Sequence, residues 1–168
     1  MGIGCSRYLN SLPCLRYFPK ALMPPEKRTP TPPANGDTSL LLPGRGELVL
    51  VVDDDHKLLQ ALARMLKSLG FQVVTASDGE DALAVVEGLR TPIDAVLVDV
   101  VMPRLDGPEF VQRLAHRGLH PAVVYMSGYE DPARLKRVLE LPSTPLLHKP
   151  FTLHALVVVL RNLLDRRQ

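Results

Sequence analysis

Three aspartates, a serine and a lysine stand where they could do metal and phosphate chemistry together. Asp53 and Asp54 follow the apolar run 48–52, Asp99 follows 95–98, Ser127 follows 122–126, and Lys149 follows 145–147. Such short runs of aliphatic and β-branched residues read as strands buried on both faces of a parallel sheet. Side chains placed just after such strands lie at the carboxyl edge of the sheet, where open α/β sheets bind ligands. If Asp53, Asp54 and Asp99 converge there, they repel one another. Two like charges about 5 Å apart cost roughly 3 kcal/mol at an effective dielectric near 20. A carboxylate cluster relieves this by binding a cation or by a raised pKa. With oxygen donors only, the natural cation is Mg²⁺.

The elements that must position these groups follow from periodicity. Strands are expected over 47–52, 71–75, 95–98, 122–126 and 145–147. Leu58, Leu62, Met65, Leu66 and Leu69 recur at helical spacing, and Gly70 suits a helix stop. Ser77-Asp78-Gly79-Glu80 resembles a capping box, leading into Ala82, Leu83, Val86 and Leu89. Asp106 caps a third helix, with Pro108 in its first turn. Asp131-Pro132 opens a short fourth helix. Thr152 caps the last, whose apolar positions are Leu153, Leu156, Val157, Leu160 and Leu164. Strands alternating with helices imply a parallel sheet covered on both faces. The strand over 71–75 carries no reactive end group. That omission suits an edge strand in a sheet ordered 2-1-3-4-5.

Composition divides the chain. Residues 1–46 hold half of the 16 prolines and six of the basic residues against Glu26 and Asp37, a net +4. The whole chain is +2, so residues 47–168 are −2. The leader therefore reads as a solvated, disordered linker, and 47–168 as the folded domain. No basic stripe suits nucleic acid. No apolar run approaches a membrane span, and a secretory signal is not expected, so the chain is expected to be cytoplasmic. Met1-Gly2-Ile3-Gly4-Cys5-Ser6 fits the myristoylation pattern, which is short enough to arise by chance. Cys5 and Cys14 both lie in the leader, so no disulfide holds the domain.

Four pieces of the domain resemble the receiver domain of two-component response regulators. They are Val51-Val52-Asp53-Asp54, the run from Asp99 through Met102-Pro103 to Asp106-Gly107, Met126-Ser127-Gly128-Tyr129 and His148-Lys149-Pro150-Phe151. They occur in order over residues 47 to about 165. The resemblance implies a flavodoxin-like (βα)₅ doubly wound sheet in the order 2-1-3-4-5. It implies that Asp99 accepts a phosphoryl group from a histidine kinase or histidine phosphotransfer protein. Asp53, Asp54, Asp99 and the backbone carbonyl of Val101 would hold Mg²⁺, and Ser127 and Lys149 would contact the phosphoryl oxygens. The output would be an unidentified downstream protein. The module would be no enzyme beyond its self-catalysed phosphoryl transfer and a slow autodephosphorylation, with Val101 and Tyr129 beside the path of water.

Two departures stand out: Val101, two residues after Asp99, has a side chain that cannot orient an attacking water, and the position three before the lysine is not aromatic. Many receivers carry an aromatic residue three positions before the lysine, where this chain has Leu146. The proline-rich leader resembles the linker before the C-terminal receiver of hybrid histidine kinases. Duller readings exist for single residues: Asp54 or Asp55 as a helix cap, Ser127-Gly128 as a turn, Lys149 as a solvated lysine. The five histidines form no metal-ligand grouping. A competing class is a haloacid-dehalogenase-like phosphohydrolase using Asp53 of Asp53-Asp54-Asp55. The threonine expected two residues after its second aspartate is absent, since Lys57 stands there. A third reading is a degenerate receiver that serves only as a binding module.

Overall fold

The computed structural model describes residues 44–128 and 145–167. Five strands form one parallel sheet: β1 (Leu48–Val52), β2 (Gln72–Ala76), β3 (Ala95–Asp99), β4 (Ala122–Ser127) and β5 (Leu146–His148). Their order is β2-β1-β3-β4-β5, the doubly wound order expected from the sequence. Four helices are described: α1 (His56–Ser68), α2 (Gly79–Gly88), α3 (Gly107–His116) and α4 (Leu153–Asp165). The leader up to residue 43, Tyr129 and the helix expected from Asp131-Pro132 lie outside the described residues.

The central strands are apolar up to their carboxyl ends because both faces are covered. Val49, Val51 and Leu97 pack with Leu59, Leu62 and Leu66 of α1 and Leu156 and Leu160 of α4. Leu50, Val52, Val96 and Val98 pack on the other side with Leu83 of α2 and Phe110 and Leu114 of α3. Each such side chain contributes about 1.5–3 kcal/mol by leaving water. Strand β2 lies at the edge and shows it: Gln72 and Thr75 are exposed while Val73 and Ala76 are buried.

The apolar face of α1 differs from the expected stripe. Leu59, Leu62 and Leu66 form it, whereas Met65 is 43% exposed and Leu58 and Leu69 only flank the core. The cap of α2 also moves by one residue. Asp78 rather than Ser77 is the N-cap, and its Oδ1 accepts from the backbone N–H of Glu80 (2.8 Å) and Asp81 (3.0 Å). The carboxylate of Asp81, not that of Glu80, reaches back to the Ser77 N–H at 2.9 Å.

At the amino edge of the sheet lies a buried cation that periodicity hid. Arg161 of α4 is 1% exposed and donates to Glu47 and, at 2.6 Å, to Asp165. Arg45 stands 3.5 Å from the same Asp165. The backbone N–H of Gly44 donates to Leu69 (2.6 Å) and that of Gly46 to Gly70 (3.1 Å). Residues 44–46, which the sequence assigns to the leader, are therefore part of the packed chain. Removing one partner of a buried ion pair strands the other charge, at about 3–5 kcal/mol. Asp165 is half exposed and keeps part of the compensation, so Glu47→Ala is expected to destabilise the domain by about 3 kcal/mol in urea denaturation. A loss below about 1 kcal/mol would show that Asp165 alone satisfies the guanidinium.

Candidate functional site

Adjacent strands β1 and β3 end side by side, with Val52 opposite Val98 in the register. That pairing delivers Asp53 from the end of β1 beside Asp99, the last residue of β3. Carboxylate oxygens of Asp53, Asp54 and Asp99 all lie within 4.8 Å of one another. Strand β5 supplies the cation: Lys149 Nζ is 2.6 Å from Asp53 Oδ2 and 3.4 Å from Asp99 Oδ1. The Lys149 backbone N–H also donates to the Ser127 carbonyl at 2.7 Å, which ties the ends of β4 and β5 together. The Lys149–Pro150 peptide is cis.

Burial differs sharply within the acidic cluster. Asp53 is fully buried, Asp99 is 7% exposed, and Asp54 faces solvent. Asp53 Oδ1 accepts from the Asp55 N–H at 3.0 Å, so both its oxygens are engaged. Asp55 takes the duller of its roles. It caps α1, accepting from Lys57 N (2.8 Å) and Leu58 N (3.2 Å), and those bonds hold its carboxyl below the usual range. Burial pushes the Asp99 carboxyl up to about 6; Lys149 opposes this, and the neighbouring charges of Asp53 and Asp54 add to it. Burial works against the charge of Lys149 too, but its bonds to Asp53 and Asp99 outweigh that and hold its pKa above the ordinary value.

Three carboxylates against one ammonium leave two negative charges, which one divalent cation balances. The donors are all oxygens at spacings that one small hard cation can bridge, so the residues fit Mg²⁺. Ser127 is buried at the end of β4, and its hydroxyl donates to the Gly128 carbonyl at 2.7 Å. Val101 lies in the loop after Asp99 with its side chain 37% exposed. The path of that loop depends on Gly107: a Cβ there would sit 2.2 Å from the Asp99 carbonyl oxygen. All five expected groups thus meet at one edge, with Val101 on the adjoining loop. Sequence reasoning missed the ion pair from Arg104 to the buried Asp78, which ties this loop to the start of α2.

The family profile described as response regulator receiver domain matches residues 49–161. The chain belongs to the response regulator receiver family. Sensor kinase CckA of Brucella abortus is 33% identical over 121 residues, covering 71% of this chain and 13% of that protein. Response regulator MprA of Mycolicibacterium vanbaalenii is 36% identical over 118 residues, covering 70% of this chain and 50% of that protein. The matched segment thus spans half or less of these relatives. Among solved structures, the receiver domain of Francisella response regulator 1452 superposes with a TM-score of 0.64 at 27% identity, over 73% of this chain and all of that one. The receiver is accordingly a module of two-component signalling with the flavodoxin-like fold. Its position before the lysine departs from the usual aromatic: Leu146 is half-buried and pairs in register with Tyr125 of β4.

The receiver's site works against its stability. The Asp99 pKa is raised on folding, from an ordinary 3.8 to about 6, so the folded state binds the proton more tightly than the unfolded one. Stability is therefore lost as pH rises from about 4 through 6, at most about 3 kcal/mol. Without divalent metal at pH 7.5, Asp99→Asn is expected to be more stable than the wild type by about 1–3 kcal/mol, part of the gain being offset by the contact with Lys149. The difference should shrink as pH falls through 6. Urea titrations of both proteins across that window measure it, and a pH-independent difference contradicts the raised pKa.

Proposed function

We propose that Asp99 is the phosphoacceptor of a phosphorelay, receiving its phosphoryl group from the phosphohistidine of a histidine kinase or histidine phosphotransfer protein. The observation that carries this is a carboxylate cluster at the carboxyl edge, neutralised only in part by Lys149, which is shared between Asp53 and Asp99. In the transfer an Asp99 carboxylate oxygen attacks phosphorus, the phosphorus–nitrogen bond breaks, and the imidazole leaves with the bonding pair. Asp53, Asp54, Asp99 and the Val101 carbonyl would hold Mg²⁺, which would supply neutralisation of the phosphoryl oxygens. Lys149 needs little movement to pair with one of those oxygens. The Ser127 hydroxyl exchanges its bond to Gly128 for one to the phosphoryl group and draws the end of β4 inward. That displacement is the signal read by a downstream protein.

Residues 47–168, together with the packed residues 44–46 before them, form the receiver and the chain ahead of these its linker, in the manner of a hybrid kinase's C-terminal receiver or of a stand-alone regulator. No described helix is long and apolar enough to cross a membrane. We place the domain in the cytoplasm, acting on protein partners rather than nucleic acid.

The dehalogenase-like reading requires Asp53 as nucleophile and Asp55 as its acid. Asp55 is engaged as the cap of α1, which disfavours its role as the acid, and Asp99 would be left without a role. Incubation with acetyl phosphate and Mg²⁺, followed by mass spectrometry, tests the proposal. Labelling is expected at Asp99 and abolished by Asp99→Asn, and Asp54→Asn should raise the Mg²⁺ requirement. Labelling that survives Asp99→Asn but not Asp53→Asn would sink the phosphoacceptor role. Labelling of no residue would leave the binding-module reading standing.

Lifetime gives a second check. The Val101 side chain offers no donor or acceptor to orient an attacking water. Autodephosphorylation should therefore be slow, and Val101→Asn should shorten the phosphorylated lifetime by about tenfold. Decay of isolated phosphoprotein in Mg²⁺, with no kinase present, measures it. Equal decay of the two proteins would show that the residue at 101 does not set the rate.

A further inference from the structure

We propose that Arg104 is a positioning residue for the metal site: its ion pair with Asp78 holds the backbone arch that carries the Val101 carbonyl. This rests on the proposed Mg²⁺ ligand set. The arch is pinned at both feet. At its start, the Val100 N–H donates to Met126 of β4 (2.9 Å), and the Val100 carbonyl accepts from Gly107 (3.3 Å). At its end, the Leu105 carbonyl accepts from the Gly79 N–H at 3.2 Å. Leu105 is buried there against Gly79, where a Cβ would lie 2.7 Å from the Leu105 carbonyl oxygen. Between these feet, Met102 is buried while Val101 and Pro103 are exposed.

Arg104 supplies the remaining tie, and it does so from an unfavourable backbone. Its φ is 62°, the left-handed region, where a residue other than glycine or asparagine is held at a cost of roughly 1–2 kcal/mol. That conformation is kept by something outside the residue. The guanidinium reaches Asp78, whose side chain is only 3% exposed. Asp78 divides its oxygens: Oδ1 caps α2, and Oδ2 takes Arg104. A buried carboxylate with a single charged partner holds that partner more firmly than a surface pair does. The first turn of α2 is thereby made part of the support for the metal-binding loop. Groups that orient metal ligands from behind commonly set affinity by about ten- to a hundredfold. A backbone carbonyl on an arch with other pins should sit at the lower end of that range.

The test is Mg²⁺ binding to the unphosphorylated protein by calorimetry, alongside the Mg²⁺ dependence of labelling by acetyl phosphate. Arg104→Asn suits the left-handed backbone and removes only the charge pair, so the fold is kept, as the melting temperature will show. It is expected to weaken Mg²⁺ binding by about three- to tenfold while the labelling rate at saturating Mg²⁺ stays within about twofold. Arg104→Lys, which keeps a cation, should restore most of the affinity. Asp78→Asn keeps the cap through its amide oxygen, and combining it with Arg104→Asn should add nothing further. Unchanged Mg²⁺ affinity in Arg104→Asn overturns the proposal, as does an Arg104→Lys protein as weak as Arg104→Asn. Asp54→Asn separates the two levels of the reading. If Asp54→Asn binds Mg²⁺ like the wild type, the ligand set itself is wrong; if it loses binding and Arg104→Asn does not, only the positioning role falls.

Discussion

The mutual repulsion of Asp53, Asp54 and Asp99 is the constraint around which the rest of the domain is built. Carboxylates whose oxygens lie within 4.8 Å of each other would drift apart on a pliable scaffold. Here two of them are fixed to the ends of neighbouring central strands, β1 and β3, whose every residue is buried. Separating the charges would mean slipping that register and exposing both apolar faces at once. Apolar packing on the two sides of the sheet thus holds in place an arrangement that electrostatics alone would reject. Lys149 offsets part of the repulsion from across the cluster and leaves a net charge that one divalent cation would balance.

The site is also a matter of missing atoms. Gly107 lets the backbone of the β3–α3 loop lie directly against the Asp99 carbonyl, and Gly79 lets the start of α2 meet Leu105. Neither contact supplies a functional group. Both decide where the loop after Asp99 runs. Chemistry at the edge therefore depends on two residues with no chemistry of their own.

The parallel sheet and its edge chemistry were legible because both leave local marks. Strands buried on two faces are continuous apolar runs, and the functional groups follow those runs directly, so Asp53, Asp99, Ser127 and Lys149 could be found without a structure. What failed were features fixed by distant partners. The stripe drawn for α1 included Met65 because its spacing is right, yet rotation of the helix against β1 exposes it and buries Leu59 instead. Ser77 and Asp78 are both good caps, and only the fold decides between them; Arg104 on Asp78 is part of that decision. Arg161 is invisible to any apolar period, since a cation inside an apolar face is tolerated through Asp165 one turn on and Glu47, 114 residues away. Asp54 was placed correctly at the edge, but its solvent exposure, against the full burial of Asp53, follows from the turn that opens α1.

Consider finally the cluster of Arg45, Glu47, Arg161 and Asp165, at the end of the sheet remote from the aspartates. It brings the first described residues of the domain alongside the last turn of α4. A fold whose two ends meet in this way is topologically almost a ring. A short bridge between them would close the circle, and the chain could then be cut open in another surface loop with its strand order intact. For the same reason the domain can be spliced between two segments of a host protein with little change in the separation of the host's cut ends. Four charged side chains thus confer portability as well as stability.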